Sequence, residues 1–253
     1  MAIGHWVHGA GAECVIVLPG APGDHSSFAP TLPWLGVDEF TYAFVDYRGF
    51  GSSRELAGEY SLAELTADIR GVADHLGWQQ FHLVGHSFGG MLAQRLAVDA
   101  TSRIKSVVAV TPVPASGIQL DEAGRELILA AVDNDEHFHA VVDLLTGNRL
   151  SSTWIDTFLR QTHETTTPTA LLAYLQLAMD ADFASEVKGL PTPFLILVGE
   201  HDLVYRVELI RRTMAAWLPN AVVDIMYNCG HFPMLEIPPW FVTRVEAFMR
   251  NHA

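Results

Sequence analysis

The apolar positions of this 253-residue chain form short uninterrupted runs that alternate with longer amphipathic stretches. The short runs are rich in β-branched and aromatic residues and lack polar alternation, which is typical of strands buried on both faces of a parallel sheet. A further run, "HWVHG" (5–9), is a candidate edge strand. The six predicted central strands are "CVIVL" (14–18), "TYAFVD" (41–46), "FHLVG" (81–85), "SVVAV" (106–110), "PFLILVG" (193–199) and "AVVDIMY" (221–227).

Helical periodicity separates several of these runs. The stretch "SLAELTADIRGVADHLG" begins with Ser61 and Glu64 in capping-box spacing and ends at Gly77. Its apolar residues recur on one stripe. Strands that alternate with helices predict an α/β fold with right-handed crossovers, that is, a doubly wound and mostly parallel sheet. Further helices are predicted over 88–99, 207–218 and 238–251.

Residues 112 to 190 interrupt this alternation, because they contain no convincing strand. The simplest interpretation is a helical lid inserted after the sixth strand, "SVVAV", and resting over the carboxyl edge of the sheet, where open α/β sheets bind ligands. The predicted organisation is a core domain of residues 1–111 and 191–253 with a helical cap over 112–190. The four predicted lid helices cover about 121–132, 135–146, 152–163 and 168–180.

The charge balance limits the range of partners. Fifteen Lys and Arg against 29 Asp and Glu give a net charge of −14. Nucleic acids and anionic membranes favour basic surfaces, so neither is an expected partner. The expected partner is a small-molecule substrate. The first 20 residues lack the pattern of a signal peptide, and no apolar run is long enough to span a bilayer. Cys14 and Cys229 form no framework, which favours free thiols in the cytoplasm, with a single disulfide as the alternative.

The segment "FHLVGHSFGGMLAQRLA" contains a G-x-S-x-G pattern between a predicted strand and a predicted helix. In a nucleophile elbow the serine occupies a strained turn, so small residues such as Gly85 and Gly89 must flank it. Ser87 would then stand at a helix N-terminus, where backbone N–H groups stabilise developing negative charge. The alternative is a serine that caps the helix beside glycines needed for packing. The flanking strand and helix favour Ser87 as a nucleophile.

A serine hydroxyl needs a base, and the base needs an orienting acid. Asp202 follows the strand "PFLILVG", and His231 follows the last strand in "CGHF". Both would lie at the carboxyl edge of the sheet beside the serine, in the chain order expected for this elbow. Glu200 competes with Asp202 for the acid role. Among the 12 histidines, His201 stands beside Asp202 and is the expected decoy. His86 is expected to pack or hydrogen-bond beneath the site.

An oxyanion hole requires two backbone donors. The N–H of Phe88, directly after the serine, is the first candidate. The loop "PGAPGD" (19–24) follows the first central strand, and its Ala21 N–H is the second. The alternative for this loop is an ordinary strand-to-helix turn.

Two further groups are weaker candidates. The adjacent Asp24 and His25 are expected to be solvated and have no assigned catalytic role. An apolar acyl pocket is one interpretation of four aromatic residues, although core packing explains aromatics at helical spacing equally well. These residues are Phe28, Phe138, Trp154 and Phe158.

Taken together, the segments "LPGAPGDHSSF", "VDYRGFGSS", "VGHSFGGMLAQRLA", "LVGEHD" and "GHFPMLEIPPWF" resemble the α/β-hydrolase superfamily in order and spacing. The resemblance is closest to its small, cofactor-free branch of serine esterases, C–C hydrolases and haloperoxidase-like proteins. It implies Ser87, Asp202 and His231 as a catalytic triad and the backbones of Ala21 and Phe88 as the oxyanion hole. It also implies that the protein uses no metal and no organic cofactor.

One departure concerns the oxyanion loop, where Pro19-Gly20 replaces the usual His-Gly. The sequence contains no HExxH, P-loop or GxGxxG motif. The predicted activity is hydrolysis of a small, largely apolar carboxylic ester (EC 3.1.1.-) through an acyl-enzyme. The alternatives are a C–C hydrolase acting on a β-diketone or ring-fission product, perhydrolysis, and a receptor that retains the triad.

Overall fold

The computed structural model describes residues 3–253 and contains one seven-stranded sheet. The strand order is β1-β3-β2-β4-β5-β6-β7, and every pairing is parallel except that of β1 with β3. The α/β-hydrolase fold and the mostly parallel sheet are therefore confirmed. The strands are β1 His5–Gly9, β2 Glu13–Leu18, β3 Phe40–Val45, β4 Phe81–His86, β5 Ile104–Val110, β6 Phe194–Gly199 and β7 Ala221–Met226.

Burial on both faces explains why the central strands carry few polar residues. Every residue of β4 and of β6 is buried. Successive side chains of a strand point to opposite faces, so each strand supplies two separate hydrophobic clusters. Ile16, Leu83 and Ile196 belong to one cluster, and their neighbours Val17, Val84 and Leu197 belong to the other.

Helices cover both faces of the sheet. The first helix begins as predicted, because the Ser61 hydroxyl accepts a hydrogen bond from the Glu64 N–H at 3.2 Å. Within residues 3–253, no helix combines the length and the hydropathy needed to cross a membrane. The helices are α1 Leu62–His75, α2 Phe88–Asp99, α3 Glu122–Ala130, α4 Asp135–Thr146, α5 Ser152–Thr165, α6 Pro168–Asp180, α7 Ala184–Val187, α8 Val207–Arg212, α9 Met214–Trp217, α10 Pro233–Glu236 and α11 Pro238–Arg250.

The single helix predicted over 207–218 is wrong, because the structure contains two short helices there. Thr213 separates them with φ −113° and ψ −105°, outside the helical region. Its hydroxyl donates to the Leu209 carbonyl at 2.7 Å, a local bond that competes with regular helix geometry. A 3-10 helix, His25–Trp34, was also not predicted. It contains Pro30 and Pro33, which cannot donate backbone hydrogen bonds.

Helices α3 to α7 lie within residues 112–190, called here the helical segment, and this described stretch contains no strand. The strand before it, β5, is the fifth along the described chain and not the sixth, since only β1 to β4 precede it. No residue of α3 is buried, whereas α6 buries five. The helical segment is therefore packed unevenly against the rest of the protein.

Candidate active site

Ser87 occupies the turn between β4 and α2 with φ +52° and ψ −114°. Few non-glycine residues adopt a positive φ, and such strain is common at functional sites. The backbone around Ser87 is held firmly, because its N–H donates to the Val110 carbonyl at 2.9 Å and its carbonyl accepts from Gly90 and Val113. The side chain is 7% exposed, so it is accessible at the floor of a cavity and not sealed in the core.

The two glycines of the elbow allow close backbone contacts that a larger residue would block. A Cβ on Gly85 would overlap the backbone of Gly89. A Cβ on Gly89 would overlap the carbonyls of Leu18 and Pro19. The glycines therefore bring β4 and α2 together and place the oxyanion loop beside Ser87.

Asp202 and His231 form a buried pair at the same edge of the sheet. Asp202 follows β6, His231 follows β7, and each is 2% exposed. Asp202 Oδ2 lies 2.6 Å from His231 Nδ1. The other oxygen, Oδ1, accepts from the backbone N–H groups of Val204 and Tyr205, both at 2.9 Å. Because an ionised carboxylate only accepts hydrogen bonds, His231 donates from Nδ1, and its Nε2 is available to accept a proton.

The His231 backbone is fixed by three hydrogen bonds. Its carbonyl accepts from His86 Nε2 and from the Thr111 hydroxyl, both at 2.9 Å, and its N–H donates to the Leu145 carbonyl at 3.0 Å. Burial, aided by the nearby His231, holds the pKa of His86 well below its usual value. His86 is therefore neutral and lies beneath the site, as expected from its position in the elbow.

Glu236 supports the same loop and was not identified in the sequence. Its carboxylate accepts from the N–H of Gly230 at 2.8 Å and from the N–H of Phe232 at 3.0 Å, the two residues that flank His231. Arg149, from the helical segment, pairs with the same carboxylate at 3.2 Å. The only sequence signal was an acid five residues after the histidine, which does not reveal a bond back to the loop.

Tyr205 is the second site residue that the sequence analysis missed. Its ring centroid lies 4.9 Å from that of His231, and its side chain lines the same cavity as Ser87. Burial raises the pKa of its phenol far above the usual value, partly offset by the nearby Ser87 hydroxyl, so the phenol stays protonated. Among the hydrogen bonds of residues 3–253, none joins the Ser87 hydroxyl to the His231 ring. Catalytic hydrogen bonds in unliganded enzymes are often absent or poorly aligned until substrate binds.

The oxyanion loop passes directly beside the serine. A Cβ on Gly20 would lie 2.8 Å from His86 Nδ1 and 3.2 Å from the Ser87 Cβ, so only glycine fits this approach. The Tyr47 hydroxyl donates to the Pro19 carbonyl at 2.9 Å and holds the start of the loop. Within the described chain, the Ala21 N–H donates no hydrogen bond to another residue, so it can serve an incoming ligand.

Glu200 and His201, the alternatives to Asp202 and His231, lie away from Ser87. Glu200 accepts from the Asn228 N–H and is exposed, and His201 lies 3.4 Å from Glu200 and not beside the serine. Of the four aromatic candidates, Phe138 and Phe158 line the cavity, whereas Phe28 and Trp154 do not. Phe28 packs instead against Phe44 beside β3, at a centroid distance of 5.8 Å. The sequence does not distinguish the aromatic residues that line the cavity from those that do not, because all four have the spacing of residues packed in a core.

Asp24 and His25 are not solvated as a pair, contrary to expectation. Asp24 is 3% exposed and accepts from the Ser26 N–H at the start of the 3-10 helix. His25 Nδ1 lies 2.8 Å from Asp46 Oδ2, and this hydrogen bond raises the pKa of His25. Ligand atoms of Asp24, His25 and Asp46 lie within 4.8 Å of one another, but these bonds already use them to fix the loop. The cluster therefore braces the loop.

A cavity of about 140 Å³ lies between the carboxyl edge of the sheet and the helical segment. Ser87, His231, His86 and Tyr205 are its polar side chains. Of the described residues that line it, none is Asp, Glu, Lys or Arg. The arrangement therefore presents the His231 imidazole, which is held by the buried Asp202 carboxylate, and the Ser87 hydroxyl to a chamber whose lining is mostly apolar.

Known proteins show the family to which the chain belongs. Residues 13–238 match the family model of the α/β-hydrolase fold. A 2-hydroxymuconate semialdehyde hydrolase of Pseudomonas putida is 29% identical over 215 residues, covering 81% of this chain and 75% of the relative. The chain therefore belongs to the α/β-hydrolase superfamily and is a hydrolase of that superfamily.

Solved structures of the same fold include two with different reported activities. An esterase from Exiguobacterium antarcticum has a TM-score of 0.86 at 18% identity, covering 97% of this chain and 95% of that protein. A bromoperoxidase from Bacillus anthracis has a TM-score of 0.85 at 22% identity, covering 97% and 94%. At these identities the likeness establishes the fold alone.

Proposed function

We propose that the protein is a serine esterase that hydrolyses a small, largely apolar carboxylic ester through an acyl-enzyme. The observation that carries the proposal is the His231 imidazole, which lies 2.6 Å from the buried Asp202 carboxylate and lines the same cavity as Ser87 at its strained elbow. A buried imidazole held by a carboxylate is the base that a serine nucleophile requires.

In the proposed mechanism, His231 Nε2 takes the proton of Ser87 as its oxygen attacks the ester carbonyl. Before this step the serine hydroxyl turns toward the imidazole. The imidazolium that forms is stabilised by Asp202. His231 then protonates the leaving alcohol, and a water deprotonated by the same imidazole attacks the acyl-enzyme and releases the acid.

The backbone N–H groups of Ala21 and Phe88 are the proposed oxyanion donors. Support comes from the contact of Gly20 with the serine and from the Ala21 N–H, which has no other partner in the described chain. The Phe88 N–H is at the first turn of α2, where amides lack partners within the helix. Loss of one donor in such a site costs about 2.7–4 kcal/mol of transition-state stabilisation. No metal or organic cofactor takes part in these steps.

The main alternative is cleavage of a C–C bond in a β-diketone or ring-fission product. The similarity to a hydrolase named for a 2-hydroxymuconate semialdehyde favours this alternative. A muconate carries a carboxylate, however, and burying an unpaired carboxylate is costly. Because no Lys or Arg is among the described cavity-lining residues, a neutral ester fits this chamber better.

A panel of p-nitrophenyl esters, a β-diketone and a ring-fission product tests the proposal with the wild type and Ser87→Ala. We expect ester turnover by the wild type and its loss in the variant. Ser27→Ala is the matched control, since Ser27 is also buried but does not line the cavity. Faster cleavage of the ketone would favour the alternative, and a single turnover followed by a stable complex would favour a receptor.

The proposed location is the cytoplasm. Cys14 and Cys229 are both free in the structure, as expected for thiols in a reducing compartment. The proposed partner is a small-molecule substrate, in keeping with the net charge of −14, which opposes binding to nucleic acids and anionic membranes.

A further inference from the structure

An open groove lies on the surface beside the catalytic cavity. It contains three exposed arginines, Arg206, Arg211 and Arg212. We call it the mouth groove, and its lining residues are Ile118, Gln119, Leu120, Leu203, Val204, Arg206, Glu208, Leu209, Arg211 and Arg212.

The mouth groove is continuous with the catalytic cavity. Ile118, Leu120 and Val204 line both. Arg206 directly follows Tyr205, the residue that contacts the His231 ring, so their Cα atoms are about 3.8 Å apart. A substrate with its acyl part in the cavity and its ester bond at Ser87 could therefore extend its alcohol part into the groove.

Apolar side chains surround this passage. Leu120 and Leu203 in the groove are 37% and 38% exposed, and Leu144 of the cavity is 40% exposed. The Leu203 N–H donates to the Leu144 carbonyl at 3.2 Å, so the loop after Asp202 and helix α4 meet at this point. Exposed leucines next to exposed arginines match an amphiphilic ligand, with an apolar chain and an anionic group.

The charge of the groove is opposite to that of the whole protein. Of the 15 Lys and Arg in the whole protein, three lie within the seven residues 206–212. Most arginines in residues 3–253 form ion pairs with carboxylates, but none of those ion pairs includes these three. Arg206 Nε donates to the Leu203 carbonyl at 2.9 Å, which leaves its other N–H groups for a ligand. Glu208 is the one carboxylate among the described lining residues.

We propose that the mouth groove binds a phosphate group on the alcohol or thiol part of the substrate, while the acyl part occupies the cavity. The inference depends on the proposed esterase function. Planar guanidinium groups bind phosphate oxygens through paired hydrogen bonds, and several can share one phosphate. Arg206 directly precedes α8, and Arg211 and Arg212 are its last two residues, so the three arginines lie within the length of this helix, about 9 Å.

Two esters with the same acyl chain test the proposal. They are 4-octanoyloxyphenyl phosphate and 4-methoxyphenyl octanoate, which release phenols of similar leaving ability. We expect the wild-type kcat/KM to be about tenfold higher for the phosphate ester, since each exposed charge pair contributes modestly and the three act together.

The double variant Arg211→Gln/Arg212→Gln should reduce that preference to nearly one. A ratio of two substrates is insensitive to partial loss of folded protein, because both rates fall together. Arg206 is left in place because it also holds the Leu203 carbonyl. Arg160→Gln is the matched control, because Arg160 on α5 is exposed and lines neither the cavity nor the mouth groove. It should keep the wild-type ratio.

Equal hydrolysis by the wild type within this pair and also within the thioester pair described next, or an unchanged ratio in the double variant, would overturn the proposal while leaving the esterase function intact. Failure to hydrolyse either ester would overturn both. Octanoyl coenzyme A and its uncharged analogue S-octanoyl-N-acetylcysteamine form a second pair. A preference within this pair alone would assign the phosphate to a thiol carrier, and a preference within the first pair alone would assign it to a phosphorylated alcohol.

Discussion

The carboxyl edge of the sheet and the helical segment meet at one cavity but contribute opposite properties to it. The polar side chains in the cavity, Ser87, His86, Tyr205 and His231, come from the sheet edge. The helical segment contributes most of the lining, and each of its lining residues is apolar or glycine. The sheet edge therefore supplies the proposed chemistry, and the helical segment supplies the shape of the chamber.

The two regions also differ in how firmly they are packed. Strand β4 is buried throughout, and nine of the twelve residues of α2 are buried. Helix α3 has no buried residue. A reacting group must be held with sub-ångström precision, whereas an apolar wall tolerates looser packing. Changes at the sheet edge should therefore affect rate or stability, and changes in the helical segment should affect substrate preference.

The largest expected effect is that of Asp202→Asn. An asparagine keeps the shape but favours the wrong tautomer of His231, so kcat should fall by roughly 10³–10⁴-fold. The dependence of the residual rate on acyl-chain length should stay the same, because the helical segment is unchanged. Steady-state kinetics over the p-nitrophenyl ester series measures both quantities. A reduction of less than tenfold would exclude Asp202 as the orienting acid.

This division also explains what the sequence could predict. The elbow and the strands were predictable, because Gly85, Ser87 and Gly89 encode a local geometry and buried strands have a distinctive composition. The candidates Asp202 and His231 followed from their places at strand ends.

The residues that the sequence analysis missed depend on packing between distant segments. Glu236 and Tyr205 gain their roles from loops that meet only in the folded protein, at the N–H groups of Gly230 and Phe232 and at the His231 ring. Thr213 interrupts a helix although the apolar periodicity continues through it. No local pattern records these contacts.

Two leucine-to-alanine variants compare the regions directly. Leu83 in β4 is fully buried, so Leu83→Ala should lower the free energy of unfolding by about 2–5 kcal/mol. Leu127 in α3 is only partly buried and lines the cavity, so Leu127→Ala should change it by less than about 1 kcal/mol.

Substrate preference should show the opposite pattern, with the larger change in Leu127→Ala. Leu127→Ala enlarges the chamber and should shift the preferred ester toward longer acyl chains, whereas Leu83→Ala should keep the wild-type preference. Urea denaturation and the ester series provide the two readouts. Equal losses of stability in both variants would refute the contrast in packing.

His82, a buried histidine that does not line the cavity, should make the free energy of unfolding depend on pH. Burial lowers the pKa of His82 to about 4, although Glu13 at 3.2 Å partly opposes this shift. The folded state thus favours neutral His82, and its contribution to stability is complete above the unfolded pKa of about 6.5 and is lost as the pH falls through 4. Between pH 7 and pH 5 the wild type should lose about 2 kcal/mol more than His82→Gln. Urea denaturation at both pH values measures this difference, and equal losses would contradict it.

The smallest effect is expected for Tyr205→Phe. This variant keeps the ring whose centroid lies 4.9 Å from that of His231 and removes only the phenol oxygen, which no proposed step uses. The kcat/KM for esters should therefore change by no more than about threefold, while Tyr205→Leu should lower it by also removing the ring beside His231. A larger fall in kcat/KM for Tyr205→Phe would instead place the phenol in contact with the substrate.

Covalent labelling with a fluorophosphonate tests the central claim most directly, because the reagent reacts only with a serine that a neighbouring base has activated. Intact-mass and peptide analysis of the wild type should show one phosphonyl group, located on Ser87. Labelling should be absent in Ser87→Ala and strongly slowed in His231→Ala, while Ser27→Ala should react like the wild type. A wild type that remains unlabelled, or a label on another residue, would contradict the assignment of Ser87 as the nucleophile.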